Sequence, residues 1–128
     1  MNTLFPTIQE VIEIHQLLIT AFGGSPGIRE MGGLEAALMR PQLGYYKNTI
    51  EQAAALMESL ANNHPFIDGN KRVAFFVTDI FLRMNRRFID CDNEKAYTYF
   101  MELFEEKKFN FQELKIWLEK NTQTHHSS

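Results

Sequence analysis

One cysteine, Cys91, in 128 residues leaves no partner for an intramolecular disulfide, and a chain without disulfides fits a reducing compartment. No apolar run approaches the roughly 18 residues of a membrane span, so no membrane partner is expected. The stretch Met1-Asn2-Thr3-Leu4-Phe5-Pro6 lacks the basic start and apolar core of a signal peptide. These absences predict a cytoplasmic protein. Positive charge is not in excess either. Thirteen Lys and Arg against 16 Asp and Glu give a formal net charge of −3. That balance argues against a nucleic-acid partner, leaving only a local basic patch open. There is no internal repeat and no low-complexity segment. At 45% hydrophobic and 23% charged the composition is that of a globular domain, and the length suffices for one core.

The apolar periodicity is helical almost throughout. Thr7-Ile8-Gln9-Glu10 reads as a capping box. Ile8, Val11, Ile12, His15, Leu18, Ile19 and Phe22 follow at three- and four-residue steps as far as Gly23-Gly24. His15 on that apolar face reads as a hydrogen-bonded core histidine. Residues 23–33 are rich in breakers and read as a loop. A short helix through Leu34, Ala37 and Leu38 should stop before Pro41, and residues 41–48 should be exposed and extended. Thr49-Ile50-Glu51-Gln52 reads as a second capping box, opening a helix that runs to about Asn62. From Val73 through Met84 the pattern is apolar nearly all round, so a helix over about residues 70–86 should lie buried in the middle of the bundle. Arg83, Arg86 and Arg87 would complement its C-terminal dipole. Phe88 to Cys91 suggests a short extended piece. Asp92 should cap a helix burying Tyr97, Phe100, Met101 and Phe104, and Asn110 one burying Phe111, Leu114, Trp117 and Leu118. The expected fold is all-α, with six or seven helices in a single domain over residues 1–121. Residues 122–128 should be a disordered polar tail, in which His125-His126 is weak as a metal signal.

Between two of these helices lies His64-Pro65-Phe66-Ile67-Asp68-Gly69-Asn70-Lys71-Arg72. A helix beginning near Asn70 presents free backbone N–H groups and the positive end of its dipole, a site that binds phosphate. Gly69 removes the side chain that would keep a phosphate off the backbone. Arg72 offers forked donors, Lys71 a mobile point charge and Asn70 an amide donor. Asp68 supplies a hard oxygen for Mg²⁺, which takes one or two carboxylates together with substrate phosphates. His64 supplies an imidazole that can accept a hydroxyl proton. A base, a metal carboxylate and a cationic cradle are the parts of phosphoryl or nucleotidyl transfer, with ATP and Mg²⁺ as the implied cofactors. Phe66 should pack beneath the loop and hold its shape. The other reading is a capped interhelical turn whose polar groups satisfy helix ends.

Residues 64–72 resemble the signature of the Fic family: His-Pro-Phe, any residue, Asp or Glu, Gly-Asn, Gly or Lys, then Arg. Residues 23–29, the helix over residues 35–41 and the short chain are similar to the Doc (death-on-curing) branch, so the likeness covers residues 4 to about 120. The resemblance implies a Fic/Doc-type helical bundle and transfer of part of a nucleotide to a protein hydroxyl. It makes His64 the base and Asp68 the Mg²⁺ ligand. Asn70 and Arg72 would hold phosphates, the backbone at Gly69 would form the anion hole, and residues 41–48 would be the flap that aligns the target.

Two positions depart from the AMP-transferring pattern, Lys71 where glycine is usual and Phe75 where a second arginine is usual. In Doc-like members such a lysine accompanies a reversed nucleotide, with the γ-phosphate facing the hydroxyl. The resemblance therefore implies a type II toxin that phosphorylates a translation factor, elongation factor Tu, and is restrained by a separate Phd-like antitoxin. An internal inhibitory motif is matched only partly, at Thr98 to Glu102, inside an ordinary amphipathic helix. The alternatives are an AMP transferase acting on a protein hydroxyl and a catalytically silent binding module. A helical hydrolase or nuclease fits poorly, since no adjacent His-Asp pair exists and no arginine stands a few residues before His64.

Overall fold

The computed structural model describes residues 3–124. It is built from six α-helices and one small antiparallel strand pair, as the all-α expectation requires. Helix α1 spans Ile8–Phe22. Its capping box forms as read: the Thr7 hydroxyl accepts the Glu10 N–H at 3.1 Å, and the Glu10 carboxylate accepts the Thr7 N–H at 2.8 Å. Val11 and His15 are its buried residues, and it ends at Gly23, where φ is +89°.

Helix α2, Met31–Met39, begins earlier than the sequence suggested, capped by the Glu30 carboxylate on the Gly32 N–H. Gly32 and Gly33 thus lie inside its first turn. Gly33 serves a close approach instead of breaking the helix: a Cβ there would meet the Asn63 carbonyl oxygen at 3.4 Å. After α2 comes a 3-10 turn at Arg40–Gln42 with Pro41 buried, so the segment expected to be extended is so only beyond it.

Helix α3, Thr49–Asn62, is capped by Asn48, not by Thr49, with the Asn48 side chain accepting the Glu51 N–H at 2.9 Å. Asparagine caps at least as well as threonine, and the Glu51 carboxylate reaches back to the Lys47 N–H at 2.9 Å. The cap is therefore displaced by one residue, and the reciprocal bond that would complete a capping box goes to Lys47 instead of the N-cap N–H.

Helix α4, Asn70–Met84, packs against α3, whose Ala53, Ala54 and Ala61 are fully buried. Phe75, Phe81 and Leu82 are buried on α4, each contributing roughly 1.5–3 kcal/mol. The helix is less uniformly apolar than the sequence suggested, because Thr78 and Asp79 are buried with it and Asp79 pairs with Arg83 at 3.2 Å. It also ends before residue 86. The Asn85 side chain accepts the Leu4 N–H and donates to the carbonyls of Leu4 and Phe81, each at 2.8 Å. Arg86, at φ +62°, then turns the chain away.

Strand β1, Arg87–Ile89, pairs antiparallel with β2, Thr122–Thr124, in the register Phe88 opposite Gln123. Residues 122–124 therefore belong to the fold and correct the expected tail. His125 and His126 lie outside the described residues. Between the strands run α5, Asn93–Glu105, and α6, Phe111–Asn121. Asp92 precedes α5 without a side-chain cap bond, and Asn110 caps α6 as expected. Ala96, Phe100, Leu103, Leu114 and Leu118 turn into the core, with Tyr97, Met101, Phe104, Phe111 and Trp117 partly buried against it. Among the described residues no helix is long and apolar enough to cross a membrane.

Candidate active site

The residues between α3 and α4 form one wall of a cavity of about 420 Å³. His64, Asp68, Gly69, Asn70, Lys71 and Arg72 all line it, together with the C-terminal half of α1 and Tyr97. The structure thus brings all six sequence-predicted site residues together, although not each in the role expected.

Gly69 occupies the N-cap position of α4 in the left-handed region, φ +75° and ψ 18°, and no side chain caps this end. The first-turn N–H groups of an α-helix have no intrahelical partner. Here they open, with the dipole behind them, at the cavity wall. A Cβ on Gly69 would lie 3.4 Å from the Ile19 side chain, and the φ value already favours glycine.

The two cations are held by rings. The Arg72 guanidinium carbon lies 4.1 Å from the Phe22 ring centroid and 5.2 Å from that of Tyr97. The Lys71 ammonium sits 4.6 Å above Phe104. Cation–π contact orients these charges without neutralising them, and among the described residues no carboxylate pairs with either. Their donors remain available to an anion.

Asp68 is exposed but fixed. One carboxylate oxygen accepts the Ser25 N–H at 3.1 Å and the other the Gly69 N–H at 2.8 Å. A Cβ on Gly24 would come within 2.8 Å of the same carboxylate, so only glycine permits the approach. Each oxygen keeps lone pairs for a cation. Among the described residues no three His, Cys, Asp or Glu side chains converge on a metal-sized site, so any ion here would take its other ligands from phosphate and water. The donor set fits Mg²⁺ bound with a nucleotide.

Asn70 departs from its expected part. Its Oδ1 accepts the Phe66 N–H and its Nδ2 donates to the Phe66 carbonyl, both at 2.9 Å. The amide latches the loop from Phe66 to the helix start, leaving one Nδ2 hydrogen for a ligand. Phe66 packs beneath the loop as read, 1% exposed.

His64 is exposed and has φ +49°. Asn63 is the C-cap of α3, which places His64 at the following position, where a left-handed residue is usually glycine. For any other residue that conformation costs roughly 1–2 kcal/mol. Arg86 and Lys107 share this left-handed conformation, but of the three only His64 lines the cavity.

His15 is the hydrogen-bonded core histidine that the sequence suggested, but its partners and the rest of the frame around the loop were not legible there. His15, 4% exposed, stacks on Phe66 with ring centroids 3.8 Å apart and planes within 6°, and its Nε2 lies 2.7 Å from the Asp68 carbonyl oxygen. Residues 27–30 run beside the loop: Gly27 accepts the Ile67 N–H at 3.1 Å, and the Pro65 carbonyl accepts the N–H groups of Arg29 at 2.8 Å and Glu30 at 3.0 Å. The Arg29 guanidinium donates to the carbonyls of His64 and Asn63. The breaker-rich composition of residues 23–33 indicated a loop but not its contacts.

Residues 41–48 do not line this cavity. Arg40 fastens their start, donating to the Tyr46 hydroxyl and the Glu58 carboxylate at 2.7 Å and to the Ser59 hydroxyl at 2.9 Å. Burial opposes the charge on Arg40, but the bonds to Glu58 and Tyr46 outweigh it and hold its pKa above the ordinary value. Leu43 and Tyr45 face solvent, 55% and 80% exposed.

The Fic/DOC family model matches residues 5–82 of the chain, a span that holds every cavity-lining residue except Tyr97. A protein of Mycolicibacterium smegmatis (strain ATCC 700084 / mc(2)155) named Toxin Doc is 44% identical over 70 residues, covering 51% of this chain and 54% of that protein. One of Escherichia phage P1 named Protein kinase doc is 36% identical over 81 residues, covering 60% of this chain and 64% of that protein. The chain thus spans between half and two thirds of the length of these curated relatives.

Proposed function

The chain belongs to the Fic/DOC family, and from that membership we propose that it is a Doc-like type II toxin: a protein kinase that transfers the γ-phosphate of ATP to a hydroxyl of elongation factor Tu and so blocks translation in the cytoplasm. The observation that carries the reading is the meeting of His64, Asp68, Gly69, Lys71 and Arg72 in one cavity at an uncapped helix N-terminus.

In this reading His64 takes the proton of the attacking hydroxyl as its oxygen bonds to the γ-phosphorus. The bond from that phosphorus to the β,γ-bridging oxygen breaks, and ADP leaves. The α4 N-terminus, Arg72 and Lys71 bind and orient the phosphate chain. Asp68, fixed by Ser25 and Gly69, would hold Mg²⁺, which supplies charge neutralisation between phosphates.

Two features favour phosphoryl transfer over AMP transfer. Lys71, with its ammonium over Phe104, stands at the position where the AMP-transferring pattern has glycine. Phe75 is buried among Phe76, Tyr97 and Phe100, so no second arginine reaches into the site from that turn. The phage relative, named Protein kinase doc, supports the same choice.

We assign residues 41–48 to the alignment of the protein target, on the exposure of Leu43 and Tyr45. A Phd-like antitoxin is the proposed restraint. The groove of about 860 Å³ lined by Phe75, Phe76, Tyr97 and Tyr99 is the surface we assign to it.

Expression in a bacterial host tests the toxin reading. Growth should arrest with the unaltered chain and continue with His64→Ala. Equal arrest by both would contradict the assignment of His64 as base.

A further inference from the structure

We infer that Arg29 is a positioning residue for His64, holding it in the left-handed conformation at the mouth of the cavity; this rests on the proposed role of His64 as base. Three consecutive carbonyls take hydrogen bonds from this one residue. Its Nη2 donates to Asn63 at 3.0 Å, its Nε to His64 at 2.7 Å and its backbone N–H to Pro65 at 2.8 Å.

Asn63 is the C-cap of α3, and carbonyls at a helix C-terminus lack intrahelical donors and carry the negative end of the dipole. A guanidinium there satisfies them with two parallel N–H groups on one edge. Lysine cannot reproduce that fork. The isolated bridge between Ile28 and Phe66 sets the register that brings Arg29 opposite residues 63 to 65.

Arg29 does not line the cavity. Among the described residues no carboxylate pairs with it. Its contacts go to the backbone that carries His64, while the phosphate cradle is held by different bonds, those of Asn70 to Phe66 and of Asp68 to Ser25. Arg29 therefore governs the base and not the anion site. The two effects should separate.

The test uses the full chain with Arg29→Lys and Arg29→Gln. In protein labelled with ¹³C and ¹⁵N at histidine, the His64 Cα and Cβ shifts should leave left-handed values in both variants, with Lys no better than Gln. ATP·Mg²⁺ affinity should stay within about twofold of the starting protein, while kcat for phosphate transfer to elongation factor Tu falls about 100-fold at nearly constant KM for ATP. Unchanged His64 shifts in both variants would overturn the inference, as would a loss that falls on ATP affinity alone. Arg29 is exposed, so both variants should keep the fold; unfolding of both would also overturn a positioning role. If the starting protein transfers no phosphate, the kinase reading fails, and the His64 shifts still decide the role of Arg29.

Discussion

The Nε2 of His15 lies 2.7 Å from the backbone carbonyl oxygen of Asp68, tying the middle of α1 to the residue whose carboxylate we propose as the metal ligand. Because the ring is buried and stacked on Phe66, the bond also fixes the loop between Phe66 and Gly69. His15→Phe keeps a ring for stacking and removes the donor, leaving the carbonyl unsatisfied. We expect a stability loss of about 1–3 kcal/mol in urea denaturation, and weaker ATP·Mg²⁺ binding by calorimetry. No change in either would show that the bond does not hold the loop.

His64 carries a cost that glycine would not. At φ +49°, His64→Gly should be about 1 kcal/mol more stable than His64→Ala. Both variants should lack transfer activity. Denaturant midpoints of the pair measure this directly. Equal stability would mean that the left-handed backbone is not strained.

Asn70 has become a latch. Asn70→Ala leaves the N–H and C=O of Phe66 without their partners, which should cost about 1–3 kcal/mol and open the loop locally. Hydrogen exchange at the Phe66 amide should quicken more than exchange in the middle of α4. Protection unchanged at Phe66 would contradict the latch.

Two helix-capping carboxylates predict an acid-side response. Backbone N–H donation from Thr7 lowers the pKa of Glu10, and donation from Lys47 lowers that of Glu51. For a carboxylate with a lowered folded pKa, stabilisation is present above the unfolded value and is lost as pH falls through the folded one. The double variant Glu10→Gln, Glu51→Gln should therefore show a flatter fall of melting temperature below the ordinary glutamate range, with the largest deficit near neutral pH. Parallel pH profiles would contradict this.

What the sequence made legible was local. The Thr7 and Asn110 caps, the run of α4 and the grouping at residues 64–72 each depend on neighbours within a turn or two. The contacts that escaped it join distant segments. Arg29 reaches a carbonyl 34 positions along the chain, and nothing in residues 23–33 names that partner. Strand β2 reads Thr-Gln-Thr, with no apolar alternation to announce a strand, and exists through its pairing with β1. Asn70 could be placed at the site but not oriented, because an amide serves a loop carbonyl as readily as a phosphate. The Asn48 cap escaped because Asn and Thr, both good caps, stand side by side and one register had to win.

The most direct test of the central claim is the intact mass of purified elongation factor Tu after incubation with this protein, ATP and Mg²⁺. The account predicts a gain of one phosphoryl group, absent when His64→Ala is used. A gain of an entire AMP group, or no His64-dependent gain at all, would contradict it.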